Sequence, residues 1–491
     1  MITAIKIRWY VEGFLKKYGV VLGVSTVLGI ILFVILPNLL SSIPLFKPTS
    51  YIGRVGAFPL SRLPRDIQDK VSMGLTRATD DGQFVPALAS SFHIEEDGKA
   101  YRFTIRPNVF WQDGTETTPA DVSYVFADID IARSQNDIVY RIRPPKDDQT
   151  PAQPFLPSSF LSLVSQPLFK QQQTKRFFFF EKNTIYGLGD YHITSFKYAG
   201  PSLREITLES ERERLVYRFY QTEHDAIVAF KHGNVERLEL IQNIEDLKDW
   251  QTVGKRIETH DDQYVALFFN LNYSEGDTGQ PYNNRNLRQA LNLSLQKPQG
   301  NDRILSPIHK RSWAYVGDET DVDRFEQDLT AAIETLSKAE LQKPVAVELT
   351  TIPTYIAKAE TIKKSWEELG ALTQSNCQKT NGKNCDNFKI SVQIRLSNVP
   401  DLSNYQVLLV GQQIPVDPDQ YTFWHSTQQT NFTHYKNARV DKLLEDARKS
   451  TNREERKLYY QEFQRILIKD SPAIFLEPIK TYTVWHKSDL L

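Results

Sequence analysis

Between Tyr18 and Phe46 the chain carries no charged side chain. The core of that run, GVVLGVSTVLGIILFVILPNLL, matches the roughly 20 apolar residues needed to span a bilayer. It is read as a transmembrane helix over residues 18–40. Lys6, Arg8, Lys16 and Lys17 precede it, opposed only by Glu12, so residues 1–17 are expected in the cytoplasm and everything past Lys47 outside. A cleavable signal peptide is the competing reading. The length of the run and the lack of a small-x-small site after it favour an uncleaved anchor. No cysteine near its end could carry a lipid. Residues 41–50, SSIPLFKPTS, read as a linker lifting the globular part off the membrane.

A chain of 491 residues corresponds to about three domain-sized units, enough for a large core and for a cleft between lobes. Its 27 Phe, 22 Tyr and 7 Trp favour buried cores or aromatic-lined clefts. The formal net charge is -1 and the basic residues are dispersed, which excludes nucleic acid as a partner. The densest basic spot, Lys175-Arg176 before Phe177 to Phe180, reads as a solvated turn before a buried strand. Cys377 and Cys385 flank the turn signal Asn381-Gly382. In an oxidising compartment they are expected to form a small-loop disulfide. A zinc site would need two further ligands, and the segment offers none.

The stretch FHIEEDGKAYRFTIRP (92–107) alternates around Asp97-Gly98 and predicts a β-hairpin. Thr118, Pro119 and Asp121 then form a capping signature, and Val122, Val125, Phe126 and Ile129 fall on one face of the helix it predicts. From Val345 to Gly411 the pattern is strand, a helix over Ala357–Leu369 ending at Gly370, and two more strands, as in a mixed or parallel sheet. Val440, Leu443, Leu444 and Ala447 mark a further helix. Asn452 with Glu455 starts another, and SPAIFLEPIKTYTVW returns as strand. The Pro-rich stretch 143–157 reads as an exposed loop.

No G-x-S-x-G, H-E-x-x-H, Walker A or G-x-G-x-x-G motif is present, and no two of the nine histidines stand at i+2 or i+4. Tyr186-Gly-Leu-Gly-Asp-Tyr191 reads as a structural turn. The most chemically dense segment is VDPDQYTFWHST (416–427). Asp417 and Asp419 could serve as paired acids of a glycosidase, but two aspartates flanking a proline are more often turn and cap residues. Tyr421, Phe423 and Trp424 supply apolar surface with polar tips, as a binding cleft requires. His425 is read as a hydrogen-bonding residue rather than a base.

The order of segments carries more than any one of them. Gly74-Leu75, Asp81-Gly82, Pro86-Ala-Leu-Ala89, Asp97-Gly98, Tyr101, Phe103, Arg106, Asp113-Gly114, Ala120 and Asp121-Val122 form a series. That series resembles the N-terminal signature of family 5 extracellular solute-binding proteins, the dipeptide-, oligopeptide- and nickel-binding type. YGLGDYHI, DAIVAFKHGNVE, LFFNLN with NLRQALNLSL, and NARVDKLLEDAR continue it in the same order, over about residues 51 to 486.

The resemblance implies an α/β, two-lobed periplasmic-binding-protein-like clamshell of type II with an extra smaller domain. Lobe I would comprise about 51–90, 185–265 and 474–491, the extra subdomain 91–184, and lobe II 266–473. The lobes would rotate about strands near DQYVALFFN and PIKTYTVW. It further implies a non-enzymatic monomer without cofactor. Such a protein would capture a peptide or similar solute and pass it to an ABC permease, a ligand sensor or an extracellular hydrolase being the alternatives. Asp417, Asp419, Tyr421, Trp424 and Ile414, with Asn270 on the hinge strand, are the expected ligand contacts. Where peptide binders of the family place an acid for the ligand's free amine, this chain has Ile414. Either Asp417 or Asp419 substitutes, or the ligand is not a free-amine peptide.

Overall fold

The computed structural model describes residues 47–487 apart from 80–82, 144–156, 177–179, 275–280, 318–321, 416 and 451, together with parts of 12–29. Most of the uncharged run therefore lies outside the described residues, as does most of the Pro-rich stretch. Among the described residues no helix is long and apolar enough to cross a membrane. The described turns within 12–29 are helical and expose Val20, Val21, Val24 and Leu28.

A ten-stranded mixed sheet organises the chain. Its spatial order begins with His192–Ala199, Ser202–Glu209, Arg214–Tyr220, Thr49–Val55 and Arg237–Ile241. It continues through Ala473–His486 and Val253–Phe269 to Val407–Gln413, Val345–Thr351 and Ile390–Leu396. The two long central strands pair antiparallel from Val253 opposite His486 to Phe268 opposite Ala473. Their register slips between His260 and Tyr264 and again between Val265 and Ala266. On one side of that irregularity the pair is flanked by Arg237–Ile241, on the other by Val407–Gln413. The backbone is thus least regular where the sheet changes neighbours, which is where a bend costs fewest ladder bonds.

Separate cores form on either side. Beyond the slip a large cluster gathers Phe268, Phe269, Trp366, Leu408, Tyr460 and Phe463. Before it, Ile52, Ile206 and Tyr217 form one cluster, and Phe230, Leu238 and Val484 another. A four-stranded antiparallel sheet of Ala89–Glu95, Ala100–Ile105, Asp137–Ile142 and Ile129–Arg133 has its own aromatic core of Tyr101, Phe103, Tyr140 and Phe160. The expected hairpin is its first pair. It closes through four residues, Glu96 to Lys99, with Glu96 at φ 54° and Gly98 at φ 87°.

Three expectations are corrected. The capping box at Thr118 forms, but it caps a single turn, Pro119–Asp121, and Val122 is already extended. Arg133 donates to the carbonyls of Pro119 and Val122, oxygens a continuing helix would have used. Val125 is 83% exposed while Val122 and Ile129 are buried, so the three share no helical face. The helix Ile356–Lys379 runs straight through Gly370. A Cβ at Gly370 would lie 2.6 Å from the Ile390 amide nitrogen and 2.9 Å from the Phe388 oxygen. The glycine lets the helix approach a strand and does not stop it. Lys175-Arg176 end the strand Lys170–Arg176, opposite Glu181 and Phe180, instead of forming a turn.

Cys377, in the last turn of that helix, and Cys385, just beyond it, are joined as a disulfide. Gly187 and Gly189 sit where a Cβ would overlap or crowd the carbonyls of Val71 and Lys70, so the YGLGDY stretch is a close-approach turn.

Candidate functional site

Building the segment after the strand Val407–Gln413 upward from its residues gives a tightly tied unit. Ile414 is buried and its amide donates to the Asp262 carbonyl at 2.7 Å. Asp417 accepts from Arg456 Nη2 at 2.9 and 3.2 Å and from the Asp419 amide at 2.9 Å. Burial pulls the Arg456 guanidinium down, but the Asp417 charge and Tyr460 outweigh it and hold the group above its ordinary value. Asp419 takes a forked contact from Arg448, Nε at 3.0 Å and Nη2 at 2.7 Å, and caps the Tyr421 amide at 3.1 Å. These are the turn-and-cap contacts of an Asp-Pro-Asp segment, each strengthened by an arginine.

The aromatics divide. Tyr421 is buried, with the Arg448 guanidinium 3.9 Å over its ring and the His425 ring stacked at 4.2 Å. Trp424 is 3% exposed, edge-on to Tyr435 and tilted against Phe475. His425 bonds Thr427 and lies 3.3 Å from Glu445. Asn270 is buried, donating to the Tyr405 carbonyl at 2.8 Å and accepting from the Asn272 amide.

Phe423, one residue from Trp424, turns the other way. It lines a groove of about 700 Å³ with Pro400, Leu402, Val410, Gly411, Gln412, Phe432 and His434 among its walls. None of the six residues expected to touch ligand lines this groove. Asp417, Tyr421 and Trp424 are buried and the Asp419 carboxylate nearly so, whereas Asn270 and Ile414 tie Val253–Phe269 to the neighbouring strand Val407–Gln413 at its two ends.

The groove lies beside an unpaired strand edge. Gln263–Phe269, the end of the strand Val253–Phe269, pairs with all of Val407–Gln413, but Val345–Thr351 stops at Leu409. The Leu409 carbonyl accepts from Thr351 Oγ1 and the Ile414 amide faces Asp262, which fixes the alternation. Gly411 and Gln413 therefore aim their backbone groups away from Val253–Phe269, toward the side that has no partner strand among the described residues. The groove also abuts the irregularity in the central strands, since Gly411 pairs with Val265 and Tyr264 Oη donates to Gln412 Oε1 at 2.9 Å.

The arrangement offers apolar surface and backbone hydrogen-bonding groups. Both acids of the segment are matched to arginines, and among the described residues no group of three or more His, Cys, Asp or Glu is placed to hold a metal ion.

Residues 83–434 match the family of bacterial extracellular solute-binding proteins, family 5. The chain belongs to that family. Dipeptide-binding protein DppE of Bacillus subtilis is 22% identical over 90% of this chain and 86% of its own length. Among solved structures, the substrate-binding protein CtaP from Listeria monocytogenes superposes with a TM-score of 0.64 at 16% identity, covering 90% of this chain and 94% of that one. NikZ from Campylobacter jejuni, solved with Ni(L-His), gives 0.61 at 21%, covering 90% and 95%. The fold is the α/β periplasmic-binding-protein-like one of these structures, and the relatives are solute-binding proteins, not enzymes.

The groove residues Leu402, Gly411, Gln412, Phe432 and His434 were not singled out from sequence. Two signals were available: the apolar Val399 and Leu402 inside the otherwise polar loop SNVPDLSN, and the glycine near the end of an otherwise bulky strand.

Proposed function

We propose that this family member is the membrane-anchored, monomeric capture component of an ABC importer, taking peptide or a peptide-like solute and handing it to a permease. The observation that carries the reading is the groove itself: a strand edge, Gly411 to Gln413, unpaired among the described residues and bordering an apolar trough beside the register slip of the two central strands. An extended peptide can add there as a strand, with main-chain bonds giving affinity and the trough receiving side chains. Its relative DppE is named as a dipeptide-binding protein.

In this reading lobe I comprises about 51–90, 185–265 and 474–491, a subdomain 91–184, and lobe II 266–473. The separate cores and the register slip at His260–Tyr264 support the division. All the groove residues come from 400–434, one side of that slip. A ligand seated there gains a second wall only when the other lobe swings over it, so binding favours the closed state. The uncharged run 18–46 behind four basic residues supports the anchor.

Small-angle scattering of the purified chain, before and after incubation with a mixed peptide library, tests the proposal. Native mass spectrometry then identifies what is retained. A retained peptide together with a fall in the radius of gyration is expected. Retention without compaction would refute the hinge, and no retention would refute peptide capture.

A further inference from the structure

The chemistry of the groove goes further than its shape and, resting on the peptide reading above, narrows the substrate class. Among the described residues, those that line it, Leu402, Val410, Gln412, Phe423 and Phe432 among them, include no lysine, arginine, aspartate or glutamate. A ligand ammonium brought into it would lose water and meet no counter-charge. The acids closest in sequence are already engaged. Asp417 is buried against Arg456, and Asp419 is clasped by Arg448. At the mouth, Asp401 is not among the lining residues: it stands exposed in solvent, which screens its charge, and accepts from both the amide and the hydroxyl of Ser403. Ile414, three residues before Asp417, is apolar and buried.

A second observation points the same way. The loop after the strand Ile390–Leu396 presents Val399 at 85% exposure and Leu402 at 48%, and Leu402 and Pro400 also line the groove. Large apolar side chains in solvent at the rim of an apolar trough are the feature expected where ligand or a closing wall will cover them. We infer that the groove selects an apolar peptide segment with no free ammonium, such as an N-acylated peptide, over its free-amine counterpart. The backbone of Gly411 and Gln413 would bond the ligand's main chain equally in both. Discrimination comes from the charge alone.

The test presents the full chain in lipid nanodiscs with an equimolar mixture of N-acetylated and free-amine tetrapeptide amides of matched random sequence. Retained peptides are quantified by mass spectrometry. Acetylated apolar peptides are expected to be enriched about tenfold or more. Leu402→Asp, at an exposed position, is expected to unfold at the wild-type temperature and to shift retention toward free-amine peptides. Equal or preferred retention of free amines by the wild type overturns the inference and leaves peptide capture standing. A preference for acetylated peptides that Leu402→Asp and Val410→Lys both leave unchanged also overturns it, because selection would then lie outside the groove. Retention of neither class overturns this inference and the peptide reading together.

Discussion

Replacing Asp417 by Asn separates a residue that holds the fold from one that holds ligand. Asp417 and Arg456 are 8% and 9% exposed and meet through contacts of 2.9 and 3.2 Å. At about 3 Å and an effective dielectric of about 20, their attraction is about 5 kcal/mol, much of it offset by the desolvation of both charges. Removing one charge leaves that desolvation uncompensated, which costs about 3–5 kcal/mol. Asn can still accept from the Asp419 amide, so the lower end, about 3 kcal/mol, is expected. The guanidinium cannot readily relax outward, because it lies 5.3 Å from the Trp313 ring and 5.5 Å from the Tyr460 ring. For a cooperative unit of about 200 residues, 3 kcal/mol lowers the melting temperature by about 6–12 °C. Scanning calorimetry of Asp417→Asn, Arg456→Met and the double variant reads this directly. The double variant should lose less than the sum of the singles, since it buries no lone charge. A Asp417→Asn protein that melts like wild type but no longer retains ligand would refute the structural assignment and return Asp417 to the ligand.

Trp424→Ala should act on stability in the same way, costing about 3–5 kcal/mol through the cavity left against Tyr435 and Phe475, with peptide affinity of the folded fraction unchanged by calorimetry. Lys297 is buried, with its ammonium donating to the carbonyls of Leu295 and Phe325, and burial together with the Arg303 charge pushes its pKa down to about 7. An unfolded lysine titrates at about 10.4, so between pH 7 and 10 the unfolded chain holds the extra proton and this group makes stability rise with pH. Urea midpoints at pH 7 and 9.5 should show that rise in the wild type and a flatter dependence in Lys297→Met. Gly187→Ala should destabilise by about 1–3 kcal/mol, because the new methyl has to displace the Val71 carbonyl, and thermal unfolding measures it.

Where neighbours in sequence decide the structure, the sequence is readable. The hairpin at 89–105, the strands Val345–Thr351 and Ile390–Leu396, and the asparagine caps of the helices Ala438–Lys449 and Arg453–Asp470 all rest on local periodicity or a local hydrogen bond. The helix expected after Thr118 shows the limit. Its cap is local and forms, but its continuation competes with Arg133, at the end of the strand Ile129–Arg133, whose guanidinium takes the carbonyls of Pro119 and Val122. Gly370 shows the same limit from the opposite direction. The residue that would end an isolated helix is retained because a strand twenty residues on needs the space of its missing Cβ.

The site was harder to read for a related reason. Asp417 and Asp419 look like chemistry because a sequence displays carboxylates without their partners. Arg448 and Arg456 stand 29 and 39 residues downstream on two different helices, and nothing in the spacing announces the pairing. The groove has the converse property: its residues are unremarkable singly and become a site only because Val345–Thr351 stops pairing at Leu409. The helix Tyr421–Trp424 joins both cases within four residues. Trp424 goes to the core and Phe423 to the groove, so the aromatic density that drew attention to the segment does mark a wall, through the smaller of the two rings. Substitutions at 423 and 424 should accordingly separate binding from folding at adjacent positions, a division that burial predicts and aromatic content alone does not.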